Sequence, residues 1–158
     1  MDGIENYRID GIIGGPISAG LPTFCGIDKS IQNNCFQLHA FDNQPGFKQI
    51  SGIHLDYGFK EAASISYFTN DRNNYKIRVS GGLDSTGEQP TGNVYELEMT
   101  ENGFNNNHLE PLPNPIRKHC MVFARNMTMV IGGVSTNGDS VPDTWILDES
   151  NLNQGVRF

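Results

Sequence analysis

The sequence predicts an all-β fold made of a repeated antiparallel unit, and three observations carry that expectation. Short apolar runs of roughly four to eight residues recur along the chain, bounded by turn formers, which is the signature of strands. Three glycine pairs close or follow such runs, at Gly14-Gly15, Gly81-Gly82 and Gly132-Gly133. Each pair is then followed by a further strand-like segment containing an aromatic residue, at 35–41, 93–99 and 144–147. The same order of features found three times marks an internal repeat, whose units bury little alone and a continuous core when stacked.

Taken in order, the first unit begins with the apolar run 8–13 before Gly14-Gly15 and continues with strands at 35–41 and 47–50. Only residues 1–6 precede Tyr7, so this unit is expected to lack its first strand and to leave an open strand edge. Residues 16–34 read as a long loop punctuated by Gly20, Pro22 and Gly26, and residues 51–60 as a link in which Ile53, Leu55 and Tyr57 alternate. The second unit has strands at 62–69 and 75–80 around the polar turn 70–74. A loop over 83–92 follows, then strands at 93–99 and from Phe104 onward. Pro111, Pro113 and Pro115 mark the next link, because proline cannot extend a ladder. The third unit pairs 120–124 with 127–131 across the two-residue turn Arg125-Asn126. After the loop 134–143 comes 144–147, which holds the only tryptophan, Trp145. Glycine is expected in the pairs because the chain there needs close approach or a positive φ.

The segments that repeat are GIIGG with FQLHAFDNQPGF, YKIRVSGG with NVYELEMTENGF, and IRKHCMVFARNMTMVIGG with DTWILD. They resemble the kelch-repeat β-propeller family, in which an apolar strand ends in a glycine pair and aromatic residues follow at two later places. Tyr95 and Phe104 match those places in the middle copy, Phe36 and Phe47 in the first, and Trp145 the earlier place in the last. The last copy offers only Val156 or Phe158 for the later place, and no copy has tryptophan there. The resemblance implies three four-stranded blades, at about 6–50, 62–110 and 119–158, the first missing its inner strand. Propellers have about four to eight blades. Three blades are therefore a half-propeller completed by a second copy, or part of a larger ring.

Net charge is −7, without a basic block, which argues against nucleic acid and anionic membrane as partners. No apolar run approaches the roughly 18 residues of a membrane span. Cys25 and Cys35 bracket residues 26–34 of the long loop without metal-ligand spacing, so a disulfide is the favoured reading, and it tilts localisation toward an extracellular rather than a cytosolic setting. Cys120, on an apolar strand, reads as a buried small hydrophobe. Asn126-Met127-Thr128 is an N-glycosylation acceptor pattern on the third unit's turn.

The search for catalytic chemistry finds dispersed histidines (His39, His54, His108, His119), no phosphate-cradling glycine loop opening a helix and no nucleophile elbow. The expectation is a protein without cofactor, metal site or catalysis. Loops on one face are the natural recognition surface. There Asp28, Lys29, Asp84, Glu88, Arg117 and Asp139 are the binding candidates, with Lys118 beside them, for a basic or polar peptide of a protein partner. Two alternatives stay open: a self-assembling structural subunit that completes a propeller by homo-oligomerisation, and a kelch-like sugar-active enzyme.

Overall fold

A computed structural model describes residues 13–16, 22–25, 35–39, 46–50, 60–68, 75–100, 103–125, 127–148 and 156–157. Among them the chain is all-β, and each sheet is an antiparallel meander in which successive strands pair with their neighbours. The first sheet contains β1 (Ile13–Pro16), β2 (Pro22–Cys25), β3 (Cys35–His39) and β4 (Gly46–Ile50). The second contains β5 (Ala63–Phe68), β6 (Tyr75–Ser80), β7 (Val94–Thr100) and β8 (Gly103–Leu109). The third contains β9 (Cys120–Ala124), β10 (Met127–Ile131), β11 (Thr144–Asp148) and β12 (Val156–Arg157). The first strands of the three sheets are neighbours, with β5 lying between β1 and β9. No helix of the described residues is long and apolar enough to cross a membrane.

The strands of the second and third units fall where periodicity and turn chemistry put them, to within a residue or so. The β9–β10 hairpin closes on Ala124 opposite Met127, and Arg125 takes the positive φ (52°) that a tight two-residue hairpin turn demands. The first unit differs from expectation. Residues 16–34 are not all loop, because Pro22–Cys25 forms β2, and this sheet has four strands rather than three. Gly14-Gly15 lies within the first strand instead of ending the second. The second strands therefore close at Cys25, Ser80 and Ile131, at intervals of 55 and 51 residues. The strand was hidden because Pro-Thr-Phe-Cys has a proline at its start and too few residues to display a period, while its partners on β1 and β3 supply the ladder.

The described core lies between the second and third sheets. Ala63 and Val94 of the second sheet meet Met121, Val130 and Trp145 of the third, and the link between the sheets contributes Leu112 and Ile116. Trp145 is 1% exposed. The prolines of the link leave Leu112 and Ile116 to do two things each. Their side chains are buried, and their amides donate to Gly92 O and Thr91 O.

Beside this apolar cluster stands a buried polar network that spans the same interface. Arg78 on β6, 1% exposed, donates from Nη1 to Thr128 Oγ1 of β10 at 2.7 Å, and from Nη2 to Glu96 Oε2 and the Tyr67 hydroxyl at 2.7 Å each. Tyr67 in turn donates to Glu96 Oε2, Lys76 Nζ reaches Glu96 Oε1 at 2.6 Å, and the Tyr67 ring stacks on Phe123 of β9 at 4.5 Å. Burial alone would raise the Glu96 carboxyl, but hydrogen bonds from Lys76, Tyr67 and Arg78 outweigh it and hold the group below its usual range.

Candidate binding face

Three backbone segments meet at one end of the second and third sheets: the β6–β7 loop (81–93), the β8–β9 link (110–119) and the β10–β11 loop (132–143). Their main chains are stitched together. Gly82 N donates to Ile116 O at 2.8 Å, and Arg117 and Val134 exchange N–H···O bonds at 3.0 and 2.9 Å. Lys118 N donates to Glu61 O at 2.9 Å, which ties in the entry to β5. Each loop also closes on itself, through bridges between Leu83 and Pro90 and between Val134 and Ser140.

The glycine pairs make this close assembly possible. Gly81 has φ +55°, and a Cβ there would stand 2.5 Å from Ile116 O and 2.6 Å from His119 Cε1. A Cβ on Gly82 would meet Lys60 O at 2.8 Å. What crowds these glycines is the link and the β5 entry packed across them, so close approach and positive φ act at the same positions. His119 occupies the space Gly81 leaves. Its Nε2 lies 2.8 Å from Ser80 Oγ, its Nδ1 is buried without a partner, and burial pushes the imidazole down to about 4 against an opposing hydrogen bond with the Ser80 backbone.

The sequence-predicted site residues have different fates. Asp28 and Lys29 lie outside the described residues, as does Asn126. Asp84 spends its carboxylate on its own turn: Oδ1 accepts from Thr86 Oγ1 at 2.6 Å and from the amides of Thr86, Glu88 and Gln89. The Thr86 hydroxyl, helped by those amides, holds the Asp84 carboxyl below its usual range. Arg117 pairs with Glu61 at 2.7 Å, and Lys118 approaches the same carboxylate at 3.6 Å. Glu88 and Asp139 are exposed. Asp139 shares its turn with Ser135, whose amide donates to Asp139 O at 2.9 Å. The structure therefore brings Arg117 against the third-sheet loop through Val134, and leaves Glu88 and Asp139 as the exposed charges of the two loops.

Between the link and the third-sheet loop is an open groove of about 350 Å³, bordered by Asn114, Pro115, Asn137, Ser140, Pro142 and Asp143. No charge marks the neutral polar residues among them in the sequence. Asn, Ser, Thr and Pro in a loop signal a turn, and nothing in their order announces that two turns face one another. Among the described residues no three His, Cys, Asp or Glu side chains gather as a metal site.

The cysteine expectations separate. Cys25 and Cys35 are direct partners in the β2–β3 ladder. Directly opposed strand positions hold their Cα atoms about 4.5–5.5 Å apart, inside the span a disulfide bridges. Cys120, expected to be buried, is a free and exposed cysteine, because strand alternation turns it away from the core that Met121 enters. Thr128, the third residue of the acceptor triplet, is fully buried as the Arg78 partner, which is reason enough for a threonine at that place.

No family model matches the chain, and no curated protein sequence matches it. The chain is similar to the solved structure of YjhT, with 14% identity and a TM-score of 0.46 over 62% of this chain. The match covers 26% of that structure, so the chain spans about a quarter of its length.

Proposed function

We propose that this chain is a set of kelch-type propeller blades that acts as a non-catalytic interaction module, seating a short polar or basic peptide segment of a partner protein in the groove between 114–115 and 135–143. The single observation carrying this reading is an open groove of about 350 Å³ between two segments that the main-chain bonds of Arg117 with Val134 tie together at its edge. A preformed groove avoids the ordering cost that a loose loop pays on binding. Its neutral polar lining offers hydrogen-bond donors and acceptors, while Asp143 in the groove and exposed Asp139 beside it favour positive over negative side chains. Asp84 and Arg117 serve this surface indirectly, by holding the loop and the link in place.

The test uses synthetic peptides of matched length, one rich in lysine, one neutral and one acidic, titrated into the isotopically labelled chain. The expected result is amide shift changes confined to 114–115 and 135–143, strongest for the lysine peptide and abolished by Asn137→Trp, which fills the groove. Shift changes elsewhere, or equal responses to the acidic peptide, would overturn the reading. The self-assembly alternative has an independent observation in its favour, the exposed apolar residues Val122 and Ile131.

A further inference from the structure

In an antiparallel sheet with one face in water, apolar residues point inward and polar ones outward. The third sheet breaks that rule. Its inner face, against the second sheet, carries Met121, Val130 and Trp145, and includes buried Thr128. Its outer face is also apolar. Register sets Val122 beside Met129 and Met129 beside Ile146, with Ile131 beside Cys120 in the next row. Val122 is 37% exposed, Ile131 40%, and Cys120 is exposed as well.

The second sheet shows what such a face is for. The row Ile65, Arg78, Glu96 occupies the same places in its ladder as Val122, Met129, Ile146 do in the third. In the second sheet that face is covered by the inner face of the third. The covering face has a recurrent mark on its third strand, an aromatic residue, one residue between, then leucine: Trp145-Ile146-Leu147. Tyr95-Glu96-Leu97 in the second sheet repeats it, with Tyr95 and Leu97 wholly buried on the side opposite Ala63 and Val94. The first sheet has the same triplet on β3, Phe36-Gln37-Leu38, with Phe24 and Phe47 as the register partners of Phe36 and Leu38.

We infer that the outer face of the third sheet is an interface, and that its occupant is the first sheet of a second copy of this chain, presenting the face that carries Phe36 and Leu38. Among the described residues all three sheets carry the covering pattern, and the outer face of the third sheet has none set against it. A second copy supplies the missing pairing by continuing an interface already present between the second and third sheets. One sheet face of four strands and five residues has a footprint of only roughly 300 Å², against the about 800 Å² per partner typical of stable complexes. Two-fold closure makes the contact twice, third sheet to first and first to third, and so approaches that requirement.

The experiment is light scattering coupled to size exclusion across a dilution series, on the chain and on Val122→Lys/Ile131→Lys. The expected mass of the unaltered chain is twice 17.5 kDa. Both substitutions lie on the exposed face, so the double variant should keep the circular dichroism spectrum of the parent while its mass falls to that of one chain. A parent that is monomeric at every concentration, a dimer that survives the double substitution, or a polydisperse aggregate in place of a defined dimer would each overturn the inference. Asn137→Trp should leave the mass unchanged, which keeps this result separate from the fate of the peptide groove.

Discussion

Arg78 and Met129 stand at equivalent places in successive sheets and solve different problems. Arg78 faces a sheet supplied by its own chain, is almost wholly buried, and has Thr128, Tyr67 and Glu96 arranged around it. Met129 shares its row with Val122 and Ile146, on the face that no described part of the chain covers. A buried charge is tolerable only where its partners are held in position, so the polar solution belongs to the fixed interface. An apolar row demands less of its partner's geometry, which fits the contact with a second copy inferred above. The two faces share one backbone plan but differ in whether a described sheet of the chain covers them.

The largest expected effect comes from breaking the covered face. Arg78→Met removes the positive partner of a buried Glu96 and is expected to cost about 3–5 kcal/mol, read from urea denaturation. Arg78→Met combined with Glu96→Ile installs the residue types of the third sheet, Met129 and Ile146, at the matching places. That double variant should recover more than half of the single variant's loss. Strict additivity of the two losses would mean that Arg78 and Glu96 do not act as a pair.

Next in size is the contrast between the glycines that end the two second strands. Gly81→Ala forces a Cβ onto Ile116 O and His119 at positive φ, and a loss of about 2–4 kcal/mol is expected. Gly132 has φ +67°, but its Cβ would meet only Val141 O at 3.6 Å, so Gly132→Ala should cost about 1 kcal/mol. Equal losses would show that φ alone, and not the covering link, sets the demand for glycine.

The most gradual effect is a slope in pH. His119, the half-buried last residue of the link, has its folded value near 4 against 6.5 when unfolded. Between those values the unfolded chain binds the extra proton, so stability rises with pH over this window and falls by up to about 3 kcal/mol on acidification from 6.5 to 4. His119→Gln should remove that part of the slope in melting midpoint. Glu96, whose folded value is depressed, supports stability above its unfolded value near 4.5 and loses that support as pH falls through its lower folded one. The loss remaining in His119→Gln should therefore lie at the acid end. A slope unchanged by the substitution would place the titrating group elsewhere.

Much of this architecture was legible from residues alone. The strands 75–80, 120–124 and 127–131, the turn at Arg125 and the special role of Gly81-Gly82 and Gly132-Gly133 all rest on alternation, turn chemistry and φ, which a chain expresses within a few residues of itself. The candidate site was less legible. Asp84 stands out in the sequence by its charge but is the acceptor that shapes its own turn, and Arg117 stands out likewise but is held by Glu61. The groove residues carry no charge signal, and they become a surface only when two loops are set face to face.

The sequence by itself determined the class of fold, the number of repeated units and the strands of the second and third, because these depend on local periods of two and on the turn residues that interrupt them. Only the tertiary structure decided that Pro22–Cys25 is a strand, that Arg78, Glu96 and Thr128 are interior, and that Ile116 and His119 are what the glycines make room for. Arg78 and Thr128 are fifty residues apart in the chain. No local rule can tell a buried, fully partnered arginine from a solvated one until the sheet that covers it has been brought into place.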